Sequence, residues 1–431
     1  MEKVIIVNPD AKMDAKQFAY APLGPLYIAA VLERDGFECE LWDLREDYNS
    51  YDNPPKGDIY CITAVTPQID DMKEVARNIK KKYGDKAYTI LGGPHATWLP
   101  DDCVDHFDCV VQDEAESIIT KICTEKPKGL QRGDRIVDLD TIPHPARHLL
   151  PDHRAASADL WGGYNYESNV IGATLMSSRG CPFACAFCAN LQQKTRFRSA
   201  DNVVEEIELM MDRYNCRHFR FLDDNAIIDK KRFQELAPKL HDLDIRFRGS
   251  ISSVLVNPEY CELLYYAGCR EIGIGFESAD DNILKIVNKA GKATTNMHSE
   301  AIKMIQKAGM KAKIYIITGL PGETEESIDA IKRFVIDLKP DKYIVSLFTP
   351  YPGTPIFNNP EFYKAEILHK KWREYDGDWP AVSVVNIDGV THDVFEKRFE
   401  DLTVWLRTHD KESFTKGLSD VHDHYEYSSM Y

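Results

Sequence analysis

The chain is short of positive charge. Its 53 Lys and Arg stand against 69 Asp and Glu, a formal net charge of −16 over 431 residues. That balance argues against nucleic acid as a partner, because a sequence-independent grip on phosphates needs a basic surface. Long apolar runs are also missing, and none approaches the roughly 20 residues a membrane span requires. The opening MEKVIIVNPD turns acidic too soon for a signal peptide and predicts a first β-strand, so a cytoplasmic location is expected. No G-x-G-x-x-G opens the first helix, which removes the support for a nicotinamide dinucleotide. Repeats of solenoid period are absent. A disulfide framework is excluded by an odd total of 11 cysteines without a secretion signal. Eight of them, Cys39, Cys61, Cys103, Cys109, Cys123, Cys216, Cys261 and Cys269, are scattered, most in apolar stretches that suit small buried hydrophobes.

What the chain does have is a strand–helix alternation, repeated twice. KVIIVNP, ECELWDL, DIYCITAV, AYTILGG and DCVVQDE alternate with helical patterns such as LGPLYIAAVLERDG and IDDMKEVARNIKKKYG. This predicts an α/β fold whose residues 1–140 form a Rossmann-like, doubly wound parallel sheet. Ligands of such sheets sit beyond the carboxyl ends of the strands, where Gly92 and Gly93 allow a backbone to come close. A Pro- and His-rich linker is expected over 141–168. The second series spans 169–358, with strands expected at NVIGATLMSS, HFRFLDDN, IRFRGSIS, CREIGIGFES, KAKIYIITG and KYIVSLFTP. Six β/α units in so short a segment predict a partial, open-sided (β/α)6 barrel of TIM type. Residues 359–431 are expected to be a mostly helical cap. Its Trp372, Tyr375, Trp379 and Trp405 suit either a helical core or a pocket wall.

One cluster stands apart. SSRGCPFACAFCAN places Cys181, Cys185 and Cys188 on a single loop just after the first barrel strand. Barrel enzymes carry their chemistry at that end of a strand. Cubane iron–sulfur clusters take thiolates, ordinarily four. Three leave one iron open, and an open coordination position distinguishes a reactive metal site from a closed one. The structural alternative is a zinc site that borrows a remote Cys or His.

CPFACAFC resembles the C-x3-C-x2-C signature of radical S-adenosylmethionine (SAM) enzymes, and the likeness extends over roughly 170–355. The resemblance implies that Cys181, Cys185 and Cys188 hold a [4Fe–4S] cluster. SAM would chelate the open iron and be cleaved to a 5′-deoxyadenosyl radical, with electrons from an external reductant of flavodoxin or ferredoxin type. It also implies SAM contacts at Phe187, Asp223, Asp224, Ser250, Ser252, Glu277 and Gly322. Asp223 and Asp224 could instead be helix N-caps. Gly322 could simply shape a turn, with Thr324 capping the next helix.

The N-terminal region resembles the cobalamin-binding domain fused to a large subclass of these enzymes, through PLGPLYIAAVLERDGFE, TAVTPQ and LGGPHAT. The implied contacts are Leu23, Gly24, Thr66, Gln68, Gly92, Gly93, His95 and Glu114, with Tyr351 from FTPYPGTP. Relatives usually read G-E-G-E where this chain has QDEAE, so the contact to the nucleotide tail is in question. A cobalt-ligating D-x-H-x-x-G is absent. Asp420 and His422 have the right spacing, but Tyr425 replaces the glycine. His95 then suits a polar loop residue or a corrin-amide contact. The subclass is dominated by methyltransferases that act on unreactive carbon or phosphorus, with methylcobalamin as the methyl donor. Methylation of a small-molecule or peptide substrate is therefore expected. The alternatives are a rearrangement, cyclisation or oxidation without methyl transfer, or a radical SAM enzyme with a degenerate cobalamin domain.

Overall fold

The computed structural model describes residues 2–10, 20–45, 51–157, 171–189, 194–225, 229–377 and 381–409. Trp379, the D-x-H candidates Asp420 and His422, and residues 158–168 of the expected linker lie outside them. Two compact units result. Unit 1 runs to Ala155 and also takes in Lys371–Arg373; unit 2 holds Ala156–Lys370 and the chain from Glu374.

Unit 1 is a six-stranded, wholly parallel sheet: β1 (Lys3–Asn8), β2 (Glu38–Asp43), β3 (Ile59–Thr63), β4 (Tyr88–Gly92), β5 (Cys109–Gln112) and β6 (Gly129–Arg132), in the order β2-β1-β3-β4-β5-β6. Val4 to Val7 are buried, as a central strand covered on both faces must be. The order reverses at β1, so the crevice beyond the carboxyl ends of β1 and β3 is the natural ligand position. The strand β6 has no counterpart among the expected strands. It is an edge strand of sequence GLQR with Leu130 exposed, and it lacks the apolar run that marks its neighbours.

Unit 2 begins with β7 (Gly172–Leu175). A small antiparallel ribbon follows, β8 (Ser178–Arg179) with β9 (Arg196–Phe197), and it brackets the cysteine loop. Then come β10 (His218–Phe221), β11 (Arg246–Ile251), β12 (Cys269–Glu277), β13 (Lys311–Thr318) and β14 (Lys342–Leu347). Strands β7 and β10 to β14 pair in sequence order, all parallel. Each helical crossover advances the chain by one strand, which gives the arc of a partial barrel. Helix starts are fixed locally: the Ser199, Asp229, Asn257, Asp280, Thr294 and Thr324 side chains each accept a backbone N–H of the following helix. Strand alternation turns Arg248 and Glu271 to one face, where Glu271 pairs with Arg248 at 3.8 Å and with Lys342 at 3.0 Å.

The C-terminal segment is mostly helical, as expected, with one short ribbon. The ribbon pairs β15 (Ala365–Ile367) with β16 (Val385–Ile387), before the helix His392–His409. Phe395 and Phe399 of that helix share a core with Leu320, Leu347, Phe348 and Ala186, the residue after Cys185. Tyr375 is fully buried with its hydroxyl on the His369 carbonyl, and Trp405 stacks on His409. Tyr375 is therefore core, while Trp405 is only half-buried. Among the described residues no helix is long and apolar enough to cross a membrane.

Candidate functional site

The cysteine loop is held from below by two carboxylates that follow β10. Asp223 accepts from the Ser177 N–H at 3.1 and 3.2 Å, from the Ser177 hydroxyl at 2.9 Å and from the Ser178 hydroxyl. Burial pushes its pKa up, against these donors. Asp224 accepts from the Gly180 N–H at 3.0 Å. Neither is a helix N-cap, since Asp229 caps the next helix. Both act instead as staples for the segment that enters Cys181, and Asp223 has its oxygens already engaged.

The loop is gripped from the side by 287–290. The Val287 carbonyl accepts from the Ala186 N–H at 2.8 Å, the Asn288 amide donates to the Ala184 carbonyl at 3.2 Å, and the Ala290 N–H points at Cys185 Sγ at 3.2 Å. Asn288 and Ala290 both sit in the left-handed region, at φ 48° and 45°. Non-glycine residues there cost of order 1 kcal/mol each, and such strain clusters at functional sites. Cys181 and Cys185 are half-buried and Cys188 is exposed, so the thiols face a reachable space.

Glu277 ends β12 at a bulge, with φ 63°. Its carboxylate, which is buried, is 2.7 Å from the Nζ of half-buried Lys289. Gly275 makes the pair possible, because a Cβ there would lie 2.5 Å from Glu277 Oε1 and 2.6 Å from Lys289 Nζ. The Lys289 ammonium is also 5.4 Å from the Phe187 ring centroid. Burial works against its charge, but Glu277 and the thiols Cys185 and Cys188 outweigh it and raise the pKa. Sequence reasoning missed Lys289. Its one signal was a lone cation in the turn after a short helix, which is ordinary on a surface.

Ser250 hydrogen-bonds Tyr315. The Ser252 N–H donates to Asn225 Oδ1 at 3.4 Å, while its hydroxyl is buried without a partner and is available to a ligand. Gly322 has φ 91°, and a Cβ there would lie 2.9 Å from Ile286, so it shapes the turn before the helix that Thr324 caps. The next residue, Glu323, accepts from the Gly319 N–H at 2.6 Å, and burial raises its pKa to about 7. Tyr351 lies in a turn where its carbonyl takes the Thr354 hydroxyl at 2.8 Å.

In unit 1 a cavity of about 160 Å³ opens over the strand ends. Gly24, Gly92, Gly93, Ile6, Ile62 and Ala115 are among its walls. Its volume is that of about five waters, so it suits a single ring system. A Cβ at Gly24 or Gly92 would meet nothing within 4 Å. Gly93 is required for another reason: its φ is 94°, and a Cβ would lie 2.5 Å from Thr63 Oγ1. Leu23 is buried at the start of the first helix. Gln68 spans two loops, accepting from the Val65 N–H at 3.1 Å and donating to the Asp10 carbonyl at 3.2 Å. Glu114 accepts from the Ile136 N–H at 2.7 Å, with its carbonyl so close to Gly133 that a Cβ there would clash. In QDEAE, Asp113 takes φ 63°, a conformation that aspartate tolerates better than most residues, so the turn survives the loss of glycine. His95 is wholly buried, Nδ1 3.3 Å from Thr66 Oγ1 and Nε2 3.1 Å from Asp102. Both ring nitrogens thus have hydrogen-bonding partners within unit 1. Open glycines over an apolar floor fit one flat ring of a larger cofactor.

Two family models match the chain: the Radical SAM superfamily over residues 175–335 and the B12 binding domain over 16–122. The chain is a cobalamin-dependent radical SAM enzyme. This radical SAM enzyme is 29% identical to an uncharacterised methyltransferase of Pyrococcus horikoshii, over 86% of each chain. It is 26% identical to the anaerobic magnesium-protoporphyrin IX monomethyl ester cyclase of Cereibacter sphaeroides, over 82% of this chain and 63% of the relative. Its fold is that of the methyltransferase TsrM of Kitasatospora setae, solved with cobalamin and a [4Fe–4S] cluster, with a TM-score of 0.63 and 18% identity over 82% of this chain and 77% of that one. The cofactors of the enzyme are a [4Fe–4S] cluster, SAM and cobalamin.

Proposed function

We propose that this enzyme methylates an unactivated carbon or phosphorus centre of a small molecule. The observation that carries this is the presence in one chain of a three-thiol loop and a glycine-lined cradle. When bound, the cluster with SAM supplies a hydrogen-abstracting radical and cobalamin supplies a transferable methyl group. The chain's own residues bind and orient. Cys181, Cys185 and Cys188 hold the cluster, while Asp223 and Asp224 fix the loop that presents them. The Glu277–Lys289 pair offers one group of each sign to the zwitterionic end of SAM, and the Ser252 hydroxyl offers a further hydrogen bond. Phe187 and Gly322 would border the same site. In unit 1, Gly24, Gly92 and Gly93 let the backbone reach cobalamin, with Leu23, Thr66, Gln68 and Glu114 shaping the loops around it. An external one-electron reductant of flavodoxin or ferredoxin type is required. The free cysteines found throughout the described chain suit a reducing cytoplasm.

The cyclase relative supports a second reading, ring closure or oxidation without methyl transfer. Anaerobic turnover of candidate substrates with methyl-labelled SAM separates the two. Methylation requires labelled product and about equal amounts of S-adenosylhomocysteine and 5′-deoxyadenosine, because one SAM supplies the methyl and another the radical. Turnover that yields 5′-deoxyadenosine with no S-adenosylhomocysteine and no label in product replaces methylation with the second reading.

A further inference from the structure

Three residues from the C-terminal side of the chain, Lys371–Arg373, fold as part of unit 1. Trp372 is only 5% exposed, and its ring meets that of His95 edge-on, centroids 5.2 Å apart at 72°. Arg373 forms an ion pair with Asp71, whose side chain is 5% exposed on the helix Ile69–Tyr83. This is a strap, anchored by an aromatic contact and a charge.

What the strap touches matters more than the strap itself. His95 belongs to the turn after Gly93, Thr66 to the turn after β3, and Asp102 to the short turn Pro100–Asp102. A carboxylate can only accept, so Nε2 of His95 carries the proton and donates to Asp102, which Lys73 also reaches at 2.7 Å. Nδ1 is then the acceptor for the Thr66 hydroxyl at 3.3 Å. One imidazole therefore ties together the two loops that carry Thr66 and Gly92–Gly93, and the Trp372 ring packs against that imidazole. Burial of the ring lowers the His95 pKa, which keeps it in the neutral form this bonding pattern uses.

We infer that Trp372 is a positioning residue for cobalamin: it locks His95 so that the Thr66 and Gly92–Gly93 loops keep the spacing the cofactor needs. The inference rests on the reading that unit 1 binds cobalamin. It also gives His95 a defined part, as a clamp between loops with no bond to cobalt.

The test uses the full-length protein with its cluster reconstituted anaerobically. Binding of hydroxocobalamin is titrated by visible absorbance, and hydrogen exchange is followed separately without the cofactor. Trp372→Ala should bind corrinoid about tenfold more weakly, the size expected for losing an aromatic packing contact. It should also speed exchange of the amides in 63–68 and 92–97, with iron content unchanged. Trp372→Phe, which keeps the ring contact, should restore both readouts to within about threefold. Wild-type corrinoid affinity and wild-type exchange in Trp372→Ala would overturn the inference. So would weaker corrinoid binding without any change in exchange of the two loops. If Trp372→Ala fails to fold, Arg373→Ala decides, since it loosens the strap at a side chain that is 56% exposed; faster exchange in the two loops supports the clamp and unchanged exchange overturns it. Should the wild-type protein retain no corrinoid, the cofactor assignment fails, and the exchange experiment still judges the strap on its own.

Discussion

The two candidate sites are built from opposite materials. In unit 1 the site is made by leaving atoms out: Gly24 and Gly92 face open space, and the floor is Ile6 and Ile62. In unit 2 it is made by putting charged groups in: Asp223 and Glu277 are buried, and Lys289 half-buried, around the cysteine loop. A cradle of the first kind gains affinity from apolar burial and backbone approach, so it tolerates exchange of its wall residues while their bulk is unchanged. A site of the second kind carries desolvated charge, and each group there must keep its partner or lose several kcal/mol. Adding atoms should break the first site. Removing atoms should break the second.

The largest effect should come from removal. Replacing Cys181, Cys185 and Cys188 together by Ala should abolish iron binding after anaerobic reconstitution, read by iron analysis and by the visible charge-transfer absorbance. A full cluster in that variant would show that other cysteines hold it. Corrinoid binding by unit 1 should be untouched, which sharpens the contrast.

Addition comes next. Gly92→Val inserts a branched side chain where protein atoms are absent, so the fold should survive while the cofactor is displaced. Corrinoid affinity should fall by about a hundredfold or more, the effect of roughly 3 kcal/mol of steric conflict. Thermal stability and iron content should stay within error of the wild type. Unchanged corrinoid binding in this variant would mean that the cofactor does not use the crevice at β4.

The smallest effect concerns charge in unit 2. Glu323 has a folded pKa of about 7 against 4.5 for the free side chain, because burial outweighs the Gly319 N–H and Arg398. The folded state thus keeps a proton that the unfolded state has lost across this window. Stability should fall as pH rises from about 4.5 to about 7, by at most roughly 3 kcal/mol. Glu323→Gln should flatten that part of the profile in urea titrations at a series of pH values. A wild-type profile flat over the same range would show that Arg398 holds the carboxylate ionised, at 3.7 Å.

Local patterns carried much of this architecture. The apolar runs at β1, β3, β4 and β5 and the N-caps before the barrel helices are short-range signals, and so is the spacing of the three thiols. Where the chain was silent, the deciding contact was remote in sequence. β6 is an edge strand whose pairing with β5 supplies the order its composition does not. Asp223 looked like a ligand contact or a cap, but its partners lie 45 and 46 residues back, at Ser178 and Ser177.

By itself the sequence determined the two α/β units, the cysteine loop and the glycines at the strand ends, because alternation, capping and covalent spacing act over a few residues. Tertiary structure alone decided which charges meet. Lys289 reaches Glu277 only because β12 bulges and Gly275 yields the space. Trp372 reaches His95 only because a distant stretch of chain returns to unit 1. Such pairings depend on where long-range folding carries each segment, and neighbouring residues hold no record of that.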